Sequence, residues 1–409
     1  MSFRPVFIAV IIGTSLVVAG YVVNAYRPRS VTDQPAAAFV RASGKCAECH
    51  LNLQYSVVHE YEMSQHARKG VNCLDCHQPS TGQPQQEHHG FTVAAKLTAA
   101  NCRSCHEAIY QEYLHSRHAA VSWAAVFGAE GLKSEQVDFA ERFQPGYARR
   151  PPHPFVKLEG PSAMTSGCAN CHSIGKPNDD GTIGTCTACH TRHTSSVAVA
   201  RLPTTCGQCH LGPDHSQLEI YDESKHGVMF HAQERLLNLD APAKSLTTRD
   251  MFVPTCATCH MSGINGQKLT HDPSDRLSYN LADAITKPRP NKEHAQEAMK
   301  QICNQCHAKP LIDRVYAEAE KVVANTNAQV QQASDEMAAL KKDGLLTTPF
   351  SQPIDFVYFD LWHYDGRTSK HGAFMGGADF VQWHGNYPML ARTVELRAQA
   401  EELRRRHGR

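Results

Sequence analysis

Sixteen cysteines stand in this 409-residue sequence, and every one belongs to a Cys-x-x-Cys-His stretch. The first four are Cys46-Cys49-His50, Cys73-Cys76-His77, Cys102-Cys105-His106 and Cys168-Cys171-His172. The other four are Cys186-Cys189-His190, Cys206-Cys209-His210, Cys256-Cys259-His260 and Cys303-Cys306-His307. Two thiols at this spacing can add to the vinyl groups of a porphyrin, while the adjacent histidine reaches the iron from one face; this is the attachment signature of c-type haem. Zinc ribbons use cysteine pairs but need no histidine after each one. Disulfides demand no such spacing, and thioredoxin-like pairs come singly on a strand-to-helix unit. With no cysteine left over, the sequence predicts eight covalent haems whose proximal ligands are the eight motif histidines.

A haem that only passes electrons has both axial positions filled, so each iron needs a second histidine from elsewhere in the chain. Seventeen of the 25 histidines lie outside the motifs. Four share a local form: Ser64-Gln65-His66, Ser116-Arg117-His118, Ser224-Lys225-His226 and Ser369-Lys370-His371. His66, His118, His226 and His371, with His59, His89, His193 and His271, are the distal candidates; His88 is a neighbouring possibility, and each competes with a surface or supporting role. An iron that binds substrate must instead keep one position open, with proton donors beside it. Asp214-His215 follows the sixth motif directly and forms a natural proton-delivery pair. On the residues alone it is equally a turn leading into a helix cap.

The elements that must position these groups are short. Motifs one to three are spaced by 27 and 29 residues and motifs four to six by 18 and 20, with a proline-rich gap from 106 to 168 between them. Two haem clusters joined by a less regular segment fit this pattern. Modest aliphatic content fits a core filled largely by porphyrin, with short helices, long loops and few strands. The fold class expected is mainly α: residues 31–310 form the multihaem cytochrome body and 311–409 a C-terminal helical region. Within the latter, Ile312, Tyr316, Ala319, Val323, Thr326, Val330, Ala333, Met337 and Leu340 alternate by four and three residues, a heptad seam on one long helix. That seam is expected to pack between subunits, the rival being a hairpin or bundle inside one chain. A second, strongly charged helix is expected from about Leu390 to Arg405.

Residues 1–30 read as an N-terminal membrane anchor or signal segment. Val6 to Val23 carry no charge and are flanked by Arg4, Arg27 and Arg29. Eighteen apolar residues sit at the lower edge of a spanning helix and exceed a usual signal core of about 7–15 residues. Retention as a membrane helix is the expectation; cleavage near Val23-Asn24-Ala25, leaving a soluble periplasmic protein, is the alternative. Either way c-haem attachment places the body on the periplasmic side of a bacterial inner membrane. With 41 basic against 40 acidic residues, there is no charge excess for a nucleic-acid partner.

The sequence resembles the octahaem hydroxylamine oxidoreductase family over nearly the whole exported body. Beyond the eight motifs, the resemblance rests on Gly212-Pro213-Asp214-His215 running into Glu219 to Gly227, on Leu361-Trp362-His363-Tyr364-Asp365-Gly366-Arg367, and on Gln382-Trp383-His384-Gly385-Asn386-Tyr387. It implies a helical fold, a homotrimer joined through C-terminal helices, and seven bis-histidine haems. The haem on Cys168, Cys171 and His172 would be five-coordinate and catalytic, with Asp214, His215 and Tyr279 on its distal side. One departure matters. Oxidative members carry a tyrosine two residues before the Gln-Trp that crosslinks to a neighbouring subunit's catalytic haem, and here Phe380 stands there. Tyr387 in a shifted register is the alternative crosslinker. The resemblance therefore implies a reductase taking nitrite or hydroxylamine to ammonium, fed by a quinol-linked or cytochrome electron partner. Hydroxylamine oxidation to nitric oxide or nitrite is the alternative activity, and a non-catalytic electron conduit the alternative class.

Overall fold

Each haem motif folds as a tight turn or helix because its spacing suits one. On a helix, residues three and four apart share a face, so one helical turn sets both thiols and the histidine toward a common side. Cys73–His77, Cys168–His172 and Cys256–His260 are five-residue helices of this kind. Asn72 caps the first, accepting the Asp75 amide at 3.1 Å while the Asp75 carboxylate accepts the Asn72 amide at 2.7 Å. The Ser-x-His form has a related cause. Ser64 caps the helix Gln65–Arg68 through the Ala67 amide at 3.0 Å, and Ser224 caps Lys225–Gln233 through the Gly227 amide at 3.2 Å. The serine begins the helix, and the histidine two residues on is thereby fixed on its first turn.

The computed structural model describes residues 37–143 and 145–408, with positions 14–16 and 18 near the N-terminus. Two compact units emerge, Met1–Met63 and Ser64–Arg409, so the body from 64 onward and the C-terminal helices belong to one unit. The first unit carries the first haem motif on the helix Ala37–Leu53, followed by Tyr55–Met63. The expected anchor at 6–23 lies almost wholly outside the described residues. Among the described residues, no helix is long and apolar enough to cross a membrane.

The second unit is mainly helical, as expected, with short helices and loops through residue 307 and one two-stranded antiparallel hairpin, Gln85–His88 with Phe91–Ala94. Its turn is His89-Gly90, both with positive φ, so His89 sits on an exposed loop tip. From Lys309 the texture changes. The 34-residue helix Lys309–Lys342 packs against Pro353–Asp360, Arg367–Met375 and Tyr387–Arg406. Val330, Ala333 and Leu340 join Leu345, Leu346, Ile354, Val357, Leu361, Met389, Leu396 and Ala400 in the largest apolar cluster. The heptad seam is therefore buried within the chain: Val330 and Leu340 are fully covered without any second subunit. This corrects the expected intersubunit role. The periodicity identified a buried stripe, and the partner covering it is the helical bundle of the same chain.

Both stretches that carry the resemblance, Leu361–Gly366 and Gln382–Asn386, are π-helical turns inside this bundle. Such turns widen a helix by one residue and recur at functional sites. Here they lie against one another; the first leads into the helix bearing Arg367 and His371, the second into Tyr387–Arg406.

Candidate functional site

An iron held between two imidazoles by bonds of about 2 Å sets their ring centroids roughly 6 Å apart. Four motif histidines face a distal candidate at that spacing. His106 stands 6.1 Å from His66, His77 6.4 Å from His193, His210 5.8 Å from His118, and His307 5.8 Å from His226. None of the sixteen cysteines is joined to another as a disulfide. Burial, the largest influence in each case, holds the imidazoles of His66, His118, His172, His190, His210, His226, His260 and His271 below their ordinary pKa, His118 and His260 down to about 4. That keeps them neutral, the form that binds a metal. The residues thus fit c-type haem in thiols, spacing and protonation state.

The remaining distal candidates are placed less simply. His271 influences the buried His190 electrostatically, and its own Nδ1 lies 3.9 Å from the Glu112 carboxylate with no hydrogen bond. His59, in the first unit, stacks on Tyr55 at 5.5 Å with Nδ1 likewise orphaned. His89 packs on His88 in the exposed hairpin turn. His371 is deeply buried and donates from Nδ1 to the Arg367 carbonyl at 2.8 Å, leaving Nε2 for other use. It makes no ring contact with a motif histidine among the described residues.

The fourth and sixth motifs share a neighbour: the ring of His215 lies 6.4 Å from His172 and 6.2 Å from His210. His172 donates from Nδ1 to the Ser122 carbonyl at 2.5 Å, which fixes the ring and directs Nε2 outward. Across from it, at 6.4 Å and nearly perpendicular, stands His215. Its Nδ1 lies 2.6 Å from the Asp214 carboxylate. Burial alone would raise the Asp214 pKa. The His215 hydrogen bond, helped by the Arg367 cation, outweighs it and holds the carboxyl below its ordinary range.

The loop presenting this pair is tied at several points. Glu219 accepts the Gly212 amide at 2.8 Å, where φ is +83°, and the Gln217 amide donates to the His215 carbonyl at 2.7 Å. The buried Thr368 donates to the Pro213 carbonyl at 3.2 Å and shares a hydrogen bond with Ser216.

The structure does not bring Tyr279 to this pair. Its hydroxyl donates to Glu320 at 2.9 Å beneath the Lys292 ammonium, and its ring packs on Phe374. Phe380 is buried in its own chain and stacks on His384 at 4.8 Å. Tyr387 is 56% exposed.

Two further residues of the run 361–367 act electrostatically on Asp214. His363 stacks on Phe359 at 4.2 Å with Nδ1 buried and unpartnered; burial first, then the Arg367 charge, drives its pKa down to about 3. Arg367 anchors Nε on the Ala282 carbonyl at 2.7 Å and lays its guanidinium over Trp362 at 5.2 Å. Its charge acts on Asp214, His172 and His363 alike. The signal available was the run Trp-His-x-x-Gly-Arg, but composition gives neither residue a role.

A helical chain in which repeated Cys-x-x-Cys-His motifs set imidazoles in facing pairs is a multihaem c-type cytochrome. The chain belongs to the family described as "seven times multi-haem cytochrome CxxCH", whose model matches residues 69–352. That span holds motifs two to eight.

A protein of Kuenenia stuttgartiensis described as a "probable nitrite reductase-hydroxylamine oxidoreductase fusion protein" is 30% identical over 237 residues. The match covers 53% of this chain but 25% of that protein, so the chain spans about a quarter of this relative's length. Two solved structures share the fold at 19% identity. A hypothetical multiheme protein is matched over 92% of this chain and 100% of its own, with TM-score 0.75. A reducing HAO-like protein complex of Kuenenia stuttgartiensis is matched over 89% of this chain and 85% of its own, with TM-score 0.65.

Proposed function

We propose that this chain is an octahaem reductase taking nitrite or hydroxylamine to ammonium at the haem of the fourth motif. The observation that carries the reading is the Asp214–His215 pair at 2.6 Å, set opposite His172. A wire needs no acid–base couple beside its iron, whereas cleaving N–O bonds needs protons delivered at the reacting atom. When bound there, a haem with an open distal position supplies a site for a nitrogen ligand and passes electrons to it. His172, with Cys168 and Cys171, would hold that group. Asp214, kept anionic, fixes the His215 tautomer with Nδ1 protonated and stabilises the imidazolium, so His215 presents its proton at Nε2. The other seven haems, with His66, His118, His193 and His226 among their distal ligands, would gather electrons from a quinol-linked or cytochrome partner on the periplasmic face. Residues 6–23 would anchor the chain there. Phe380 motivates the reductive direction, because a phenyl ring lacks the oxygen needed to crosslink and distort a haem.

A second reading is a pure conduit. It is favoured by the 6.4 Å His172–His215 separation, the same as that of the His77–His193 pair, which would also suit a six-coordinate iron. A reduced-dye assay for ammonium release separates the two.

Assembly as a homotrimer is part of the proposal, on a basis other than the heptad seam. Trp383 on the second π-turn and Tyr387, Leu390 and Val394 on the last helix form an exposed apolar stripe at spacings of four and three residues, each more than half exposed. Val330→Asp, in the covered seam, should destabilise the chain by about 3–5 kcal/mol, the cost of a buried unpaired charge. Leu390→Asp should leave it folded but convert trimer to monomer in light scattering. If Leu390→Asp leaves the mass unchanged, the stripe is no interface.

A further inference from the structure

We propose that Arg367 makes the distal space beside Asp214 and His215 an anion subsite, so that this site selects nitrite over neutral hydroxylamine. The inference rests on the reductase reading and narrows its substrate class.

Three features of the geometry support it. The guanidinium is held from behind: Nε donates to the Ala282 carbonyl and the plane lies over Trp362, so the group is oriented without using its outer fork. Among the described residues, neither terminal nitrogen has a hydrogen-bond partner or ion pair. The nearby carboxylate that could have neutralised it, Asp214, spends its Oδ2 oxygen on His215. An oriented guanidinium with a free fork is the group best suited to a planar two-oxygen anion.

The surroundings fit as well. Thr368, the next residue, bonds the Pro213 carbonyl and Ser216, which sets Arg367 beside the Asp214–His215 loop, and its charge is felt at Asp214. Burial lowers its pKa to about 10, opposed by Asp214 and Asp283, so it remains a cation at neutral pH. His363, pressed on Phe359 and kept neutral, adds no competing charge. Hydroxylamine, neutral near pH 7, offers nothing for the cation to attract. Nitrite has two oxygens for the fork.

The test uses the full haem-loaded chain and two readouts. Optical titration of the oxidised protein gives equilibrium affinities for nitrite and azide, both anions, and for nitric oxide, which is neutral. Steady-state assays give kcat/KM for nitrite and hydroxylamine. Arg367→Gln should weaken nitrite and azide binding, and lower kcat/KM for nitrite, by about 10–100-fold, the scale of a lost charge-assisted hydrogen bond. Nitric oxide binding should change by less than about threefold, and kcat/KM for hydroxylamine should fall by less than that for nitrite. Arg367→Lys keeps the charge without the fork and should recover at least part of the anion affinity; it also controls for a folding defect. Equal losses for anions and neutral ligand, or no loss at all, overturn the subsite while leaving the reductase reading intact. A wild-type protein that binds none of the three ligands overturns both.

Discussion

His215→Ala should lower dye-driven reduction of nitrite or hydroxylamine by about 10²–10⁴-fold, the scale of a positioned acid–base group. The expectation follows from position and chemistry together. His215 faces His172 at 6.4 Å, its Nδ1 is occupied by Asp214, and its loop is tied down by Glu219, Gln217 and Thr368. The variant should keep its haem content, because no cysteine or proximal ligand is touched, and its reduced spectrum should still respond to added nitric oxide. If turnover is unchanged, protons reach the substrate by another route and the pair is structural. Should the variant's fourth-motif iron instead open to ligands that the wild type excludes, His215 is an axial ligand and the conduit reading gains.

Replacing Cys168 and Cys171 together by serine should remove one haem from the intact mass and abolish nearly all turnover. The same double change in the eighth motif, Cys303 and Cys306, should also remove one haem but leave turnover measurable, limited by electron supply. The asymmetry arises because His226 stands across from His307 with no acid beside it, whereas His172 faces the Asp214–His215 couple. Loss of turnover in both variants to the same extent would show that the fourth motif holds no special position. Retention of activity without the fourth haem would place the chemistry elsewhere.

The haem motifs were legible in the sequence because attachment chemistry is local: two thiols and an imidazole must share one helical turn. The Ser-x-His form was legible for a related reason, now explained by Ser64 and Ser224 acting as helix caps. Which histidine meets which was not legible. His77 pairs with His193 and His210 with His118 across long stretches of chain, and nothing in the local residues encodes such a meeting. Periodicity found the stripe on Lys309–Lys342 but could not say what covers it, since an apolar face reads the same whether its partner is a second chain or the helix Tyr387–Arg406. Tyr279 shows the limit of a short local match: Lys292 and Glu320, neither adjacent to it in the chain, decide where its hydroxyl goes. Arg367 was in view but silent, because the Ala282 carbonyl that orients it lies far away in the chain.

The central claim is that nitrogen substrate is reduced at the fourth-motif haem, and the most direct measurement is a nitrogen balance. Purified, fully haem-loaded protein is given a reduced dye with nitrite, then with hydroxylamine, and ammonium is quantified against dye oxidised. The account predicts substrate loss matched by ammonium, in a protein whose reduced spectrum lacks the red-shifted band of a crosslinked haem. Rapid hydroxylamine oxidation with an acceptor dye, accompanied by that band, would contradict it.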